Sequence, residues 1–321
     1  MARRTERQWV ERLRERFAAG SRGVALGIGD DAAILAPSAE ASVCSVDASV
    51  QGVHFDSSWL SLEDVGYRSF QAAVSDLAAM GALPVAALSA LILPRDLPAE
   101  GIDQLTLGQR VASVECACPI VGGNLSRGRE LSITTTVLGR SGVALPRSGA
   151  RAGDELWLVG ALGLAAAGLA CLRGRVSGAG ASERRAVERC VQAWRRPRAL
   201  LGEGRELTVC ARACIDISDG LATDARQLAR ASRVRVIVDE ALLRAALEPS
   251  LLLASRALRR SALHFALYGG EDYALLATGP SRARPVGAAP IGWVTRGQGA
   301  LLQRAGQRVP LERGFDHLAR R

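Results

Sequence analysis

The sequence predicts two mixed α/β domains joined near residue 145, and three observations carry that prediction. Runs rich in β-branched residues, such as Leu131–Leu138 (LSITTTVL), alternate with stretches of helical periodicity. The alternation is too irregular for a strict βαβ array, which points to α+β mixed sheets in each half. Between residues 140 and 153 the composition changes: Gly, Pro, Ser and Arg collect in RSGVALPRSGARAGD, as in a linker. The chain's 321 residues are enough for two medium domains.

Taken in order, Thr5–Ala19 reads as an amphipathic helix, with Trp9, Val10, Leu13 and Phe17 on one face and Gly20 placed to end it. GIGDDAA at 27–33 is a Gly-rich turn, and Val43–Asp47 reads as a buried strand ending in a carboxylate. Ser61 with Glu63 and Asp64 opens a helix towards Met80, because a hydroxyl and acidic side chains suit the free N–H groups of a first turn. Pro84–Leu93 is β-like and Pro98–Val114 helical. After the linker, strands are expected at Glu155–Val159, Cys214–Ile217, Val234–Asp239, Tyr273–Ala277 and Val286–Val294. Helices are expected around 164–173, 183–194, 198–210 and Asp219–Ala231, and SGAGAS at 177–182 reads as a mobile loop.

Composition narrows the function classes. The net charge of +9 suggests nucleic acid, yet all 41 basic residues are Arg, scattered along helical surfaces. Aromatic content is 4%, poor material for stacking bases, so no nucleic-acid partner is expected. No run of 18 apolar residues occurs, which argues against a membrane span. The opening MARRTERQWVERLRERF is too charged for a secretory signal, and a cytoplasmic location follows. Seven cysteines form no C-x-x-C pair and three histidines lie far apart, so buried reduced thiols are expected rather than zinc or disulfides.

The informative residues are acidic. Asp30 and Asp31 lie in GIGDDAA, Asp47 closes a strand, Asp76 lies in SDLAAMGA, Asp216 and Asp219 in CIDISDGL, and Glu271 and Asp272 in YGGEDY. Singly, each reads equally well as a surface turn or a cap, and Asp219 as the cap of the helix that follows it. Together, carboxylates at the ends of apolar strands repel one another unless cations sit between them. Hard oxygen donors suit Mg²⁺, which bridges to phosphate oxygens. A P-loop and the strand lysine of protein kinases are both excluded in a chain without Lys. GIGDDA matches the dinucleotide fingerprint only loosely, since two Asp would repel a pyrophosphate. IVGGN at 120–124, read as a Gly-rich turn, together with Arg127 and Arg147, supplies candidate phosphate contacts.

Seven blocks, GIGDDAAIL, SVDASVQGVHF, SDLAAMGALP, VGGNLSRG, RSGARAGDELWLVG, IDISDGLATD and YGGEDYALL, resemble the thiamine-monophosphate kinase family, in the family's order and over nearly the whole chain. The resemblance implies a two-domain fold like that of aminoimidazole ribonucleotide synthetase. Residues 1–140 would form an ATP- and Mg²⁺-binding domain that dimerises through a barrel, and residues 147–321 an α/β domain completing the site. It implies direct in-line transfer of the ATP γ-phosphoryl group to thiamine monophosphate, with several Mg²⁺ ions screening charge, in a homodimer. By position, Asp30, Ser45, Val46, Asp47, Asp76, Asn124, Asp216 and Asp219 are similar to metal-site residues. Gly123, Asn124, Arg147 and Ser218 are similar to nucleotide contacts, and His54, Glu271 and Phe315 to substrate contacts.

Three departures stand out. The family's GGDT is GGNL here, so Asn124 replaces a metal-binding Asp. A polar stretch after a strand is GLAAAG, with Leu164 and Ala165 at polar positions. Val46 replaces a Thr, leaving only its carbonyl as a donor. The alternative they raise is a weakened paralogue that binds nucleotide or thiamine phosphate without turnover. Against it, the chain's only Asn is Asn124.

Overall fold

The computed structural model describes residues 6–17, 23–26, 28, 32–174 and 180–311. The chain divides into two compact units, residues 1–77 with 82–142, and residues 78–81 with 143–321.

The N-terminal unit begins with helix α1 (Glu6–Phe17) and a two-stranded ribbon of β1 (Val24–Leu26) and β2 (Ile34–Leu35). There follow β3 (Ala41–Val50), α2 (Leu62–Ala79), β4 (Leu83–Pro94), α3 (Ala99–Glu115), β5 (Ile120–Gly128) and β6 (Ser132–Ser141). The four long strands form one sheet in the order β3-β6-β4-β5. Only β4 and β5 run parallel, and α3 is the crossover that such a pair requires. The Ser61 hydroxyl accepts from Asp64 N–H at 3.0 Å and starts α2 as expected.

Helices α2 and α3 approach at backbone contact. A methyl group on Gly66 would lie 1.9 Å from the carbonyl oxygen of Leu105, and one on Gly108 1.9 Å from that of Glu63. The two glycines are therefore a mutual requirement of this crossing. Both helices lie on one face of the sheet: Leu77 reaches Gly139, and Gln109 donates to Ser89 Oγ at 2.8 Å. The opposite face leaves Val46, Leu88 and Ile92 exposed.

The C-terminal unit contains β7 (Glu155–Val159), α4 (Leu164–Arg173), α5 (Ala181–Arg195), α6 (Leu201–Leu207), β8 (Ala213–Ile217), α7 (Leu221–Ser232) and β9 (Arg235–Asp239). It continues with α8 (Glu240–Ala246), α9 (Pro249–Ala257), α10 (Ala262–Tyr268), β10 (Ala274–Gly279), β11 (Ala288–Thr295), β12 (Gly299–Arg304) and β13 (Gln307–Pro310). Its seven-stranded sheet has the order β13-β12-β9-β11-β7-β10-β8 and a single parallel pair, β9 with β12. Central strands are covered on both faces. Leu156, Leu158, Ile215 and Leu276 join one core, and Trp157, Val159, Cys214 and Leu275 the other. That is why β7, β8 and β10 read as almost continuous apolar runs.

Several expectations need correction. β3 is not buried; its residues alternate between exposed and half-exposed because it is an edge strand. IVGGN is not a turn but the first half of β5, whose glycines admit the neighbouring strand: a methyl on Gly123 would lie 1.8 Å from Ser89 O. α7 is capped by Gly220, not Asp219. α6 is shorter than expected, and α8–α10 and the β12–β13 hairpin were not anticipated. All seven cysteines are free, but Cys44 is exposed and Cys210 half-buried. Residues 177–179 of SGAGAS lie outside the described residues.

Candidate phosphoryl-transfer site

In the N-terminal unit, strand register decides which side chains meet. Asp47, Thr135, Ser89 and Gly123 occupy one row across the sheet, from edge strand β3 to edge strand β5. Ser45 lies two residues before Asp47, on the same face, and its hydroxyl donates to Asp76 Oδ2 from α2. Asp47 Oδ1 accepts the N–H of Ala48 at 2.7 Å. Asn124 falls in the next row, with Ala48, Thr134 and Ala90, and its Nδ2 donates to Ser126 Oγ at 3.2 Å. Three interstrand steps separate the two edges, about 14 Å. Ser45, Asp47 and Asp76 are thus gathered, while Gly123 and Asn124 stand at the far edge of the same sheet.

Next to that far edge is a cavity of about 220 Å³, lined by Leu13 and Phe17 of α1, Gln109 of α3, and Ser89, Gly123 and Asn124. Arg12 and Arg16 tie α1 to Asp103 of α3 at 2.6 and 3.2 Å. Gln109 is fully buried, and its Oε1 has no partner among the described residues. A buried, unpaired acceptor is costly unless a donor arrives from outside. His54 sits in the turn after β3, where Nδ1 accepts from Val50 N–H at 3.1 Å, so the neutral ring carries its proton on Nε2. Arg127 donates to Pro94 O at 3.0 Å. Val46 is exposed on the opposite face from Ser45.

In the C-terminal unit, β8 and the loop to α7 carry Asp216, Ser218 and Asp219. Asp216 is buried. Sequence reasoning passed over Asp224, which is 1% exposed and receives the Asp219 N–H at 3.2 Å. Burial first, and then the charges of Asp216 and Asp219, push its carboxyl up to about 8. Gln227 bridges outward, donating to Asp224 Oδ1 at 3.3 Å and accepting from Arg147 Nη1 at 3.0 Å. A signal for Asp224 was available: it stands on the apolar stripe of α7 with Leu221, Ala225 and Leu228, where a carboxylate needs a reason.

The Gly-Gly-Glu-Asp-Tyr loop is pinned to the same strand end. Glu271 N–H donates to Ser218 O at 2.8 Å and Tyr273 N–H to Ile217 O at 3.0 Å. Glu271 and Tyr273 have φ of +67° and +52°, strained values for residues with side chains. The Glu271 carboxylate accepts from the buried Trp194 indole N–H at 3.0 Å. Asp272 turns to the start of α4, accepting from Gly163 N–H at 2.6 Å and Ala165 N–H at 2.9 Å. Burial raises its carboxyl to about 7, against the pull of those amides. Leu164 and Ala165 are buried in the core beside it.

Asp30 and Phe315 lie outside the described residues. Among the described residues, no group of three or more His, Cys, Asp or Glu stands ready to hold a metal. The donor chemistry nonetheless fits Mg²⁺, which seldom takes an all-protein cage and keeps waters and substrate oxygens. At Asp224, burial and the charges of Asp216 and Asp219 outweigh the opposing pull of Arg147, so its carboxyl holds a proton more tightly than a free one.

The N-terminal and C-terminal domain models described as AIR synthase related protein match residues 29–141 and 151–300. The thiamine-monophosphate kinase of Escherichia coli (strain K12) is 33% identical, covering 97% of both chains. That of Aquifex aeolicus is 33% identical over 90% of this chain and 92% of its own. Among solved structures, "AaThiL complexed with AMPPCP and TMP" matches with a TM-score of 0.81 at 29% identity, covering 99% of this chain and 100% of the other. The Stenotrophomonas maltophilia K279a thiamine-monophosphate kinase matches with a TM-score of 0.79 at 31% identity, covering 93% and 96%. The hydrogenase maturation protein HypE of E. coli shares the fold, with a TM-score of 0.73 at 20% identity over 96% and 98%. From motif order, architecture and these likenesses together, the chain belongs to the thiamine-monophosphate kinase family.

Proposed function

We propose that the chain phosphorylates thiamine monophosphate at the expense of ATP, giving thiamine diphosphate. The observation that carries this reading is the set of carboxylates within β3, near the end of α2 and at the end of β8, in the blocks shared with the family. When bound, Mg²⁺ would neutralise phosphate oxygens and favour in-line transfer. Asp30, Ser45, the Val46 carbonyl, Asp47, Asp76, Asn124, Asp216 and Asp219 would hold it. Arg147 and Ser218, with Gly123 and Asn124, would place the nucleotide, and the Gln109 oxygen near Gly123 and Asn124, unpaired among the described residues, offers an acceptor for a ligand N–H. His54, Glu271 and Phe315 would contact the thiamine phosphate. No side chain is needed as a nucleophile, since the acceptor is itself a phosphate.

Residues 1–140 are the proposed ATP-, Mg²⁺- and dimer-forming part, and residues 147–321 complete the site. The sheet of the N-terminal unit supports a homodimer. Among the described residues no further strand pairs the outer edges of β3 and β5, the outer face exposes Val46, Leu88 and Ile92, and Asp47 and Asn124 lie too far apart to share one ion. A second copy that pairs its β5 edge with β3 would bring Asn124 to Asp47. No helix among the described residues is long and apolar enough to cross a membrane, which fits the proposed cytoplasmic location.

The test is formation of thiamine diphosphate from ATP and thiamine monophosphate by the purified chain, with and without Mg²⁺. Light scattering on the same sample reads the mass. Turnover by a dimer is expected; ligand binding without product would instead establish the weakened-paralogue reading that Asn124 and Leu164 motivate.

A further inference from the structure

We infer that Trp194 is a positioning residue for the reaction, setting the Glu271 carboxylate for the thiamine substrate. The inference rests on the reading of Glu271 as a substrate contact. Glu271 belongs to a loop whose main chain is fixed by two bonds to the end of β8, from Glu271 N–H to Ser218 O and from Tyr273 N–H to Ile217 O. Its backbone has φ of +67°, a conformation that a side-chain-bearing residue keeps only when its surroundings enforce it. Those bonds fix the backbone but leave the side chain its rotamers. The side chain is directed by α5, 77 residues away in sequence, through the indole N–H of Trp194 at 3.0 Å.

Trp194 can do this because it is packed into the interior. It is 2% exposed, near the end of α5, and that helix is held to α4 by a glycine: a methyl on Gly168 would lie 2.1 Å from Cys190 O. A buried indole N–H requires an acceptor, and here the acceptor is a carboxylate, which makes the bond stronger than a neutral one. The bond occupies Oε2 of Glu271. The orientation of the carboxylate is thereby set, with its rotamer entropy already lost before substrate arrives. Asp272, the next residue, points the other way, to the amides at the start of α4. The two adjacent carboxylates thus have separate partners and separate tasks, one held for the helix and one held for the ligand.

The test is Trp194→Phe, which keeps an apolar ring and removes the donor. The expected result is a rise of about tenfold in KM for thiamine monophosphate, with kcat and KM for ATP within about twofold of the parent. Thermal unfolding separates a packing defect from a positioning one. Glu271→Ala and the double variant complete a cycle: in the Glu271→Ala background, the Phe substitution should add little to KM. An unchanged KM in Trp194→Phe, with Glu271→Ala raised, overturns the positioning role. An unchanged KM in Glu271→Ala overturns instead the reading of Glu271 as a substrate contact. Equal losses in kcat and in both KM values, with a lowered unfolding temperature, would make Trp194 structural only.

Discussion

Asp76 in the N-terminal unit keeps part of its surface open and receives the Ser45 hydroxyl, whereas Asp224 in the C-terminal unit is sealed among apolar neighbours beside two more carboxylates. The same contrast runs through both units. Asp47 and Asn124 stand on edge strands with solvent beside them, while Asp154, Asp216 and Asp224 are all at least nine-tenths buried. Asp154 is balanced by Arg212 and by Arg151 N–H at 2.8 Å, and reads as a structural pair. The N-terminal unit therefore leaves its proposed ligands partly open to solvent. The C-terminal unit buries its acidic groups close together, at the cost of holding like charges near one another.

Removing one carboxylate from each unit is the severest way to break this contrast. Asp76→Ala and Asp216→Asn should each lower kcat by about 10²–10³-fold, the scale of losing one preorganised electrostatic contact to transferred charge. Steady-state kinetics at saturating Mg²⁺ would read it. Loss in only one variant would confine the chemistry to one unit.

Scaffold disruption comes next. Gly108→Ala should destabilise the α2–α3 crossing by about 3 kcal/mol, because the added methyl meets the Glu63 carbonyl oxygen and the helices must part. Denaturant unfolding would measure it. An unchanged midpoint would show that the crossing can relax without cost.

The buried acid gives a pH signature. With its folded carboxyl raised to about 8, Asp224 keeps its proton in the native state while the unfolded chain loses it near pH 4. The native state then binds more protons, so stability falls as pH rises from about 4 to 8 and levels off above. Calorimetry of the Mg²⁺-free protein should show this slope, to which Asp272, raised to about 7, adds up to that pH, and Asp224→Asn should remove the share of Asp224 and leave that of Asp272. Added Mg²⁺ should restore more stability at pH 8 than at pH 6. The smallest effect expected is that of Asn124→Asp: a several-fold lower Mg²⁺ requirement, since a carboxylate binds the ion more tightly than an amide. A gain of orders of magnitude in activity would mark Asn124 as a lesion.

Much of this molecule was legible in one dimension. The β-branched run at β6, the Ser61 cap of α2 and the apolar strands of the C-terminal sheet followed from periodicity and local hydrogen bonding, which the chain encodes over a few residues. The motif blocks placed Asp76, Asp216 and Asp219 near element ends for the same reason, whereas β3 does not end at Asp47 as expected but runs on, paired with β6, to Val50. What failed was whatever depends on a neighbour distant in sequence. β3 looked buried because its residues are apolar, but its position at a sheet edge is a property of strand order. IVGGN looked like a turn because it is rich in glycine, but those glycines serve the close approach of β4.

By itself, then, the sequence determined the fold class, the family, and the kinds of donor the site would offer, because these lie in local pattern and residue chemistry. Only tertiary structure decided that Ser45 meets Asp76, that Asn124 stands a sheet's width from Asp47, that Asp224 joins Asp216 and Asp219, and that Trp194 holds Glu271. Each of those contacts depends on strand register or helix packing, and the free energy that selects a register is spread over the whole core, so no short window of the chain contains it.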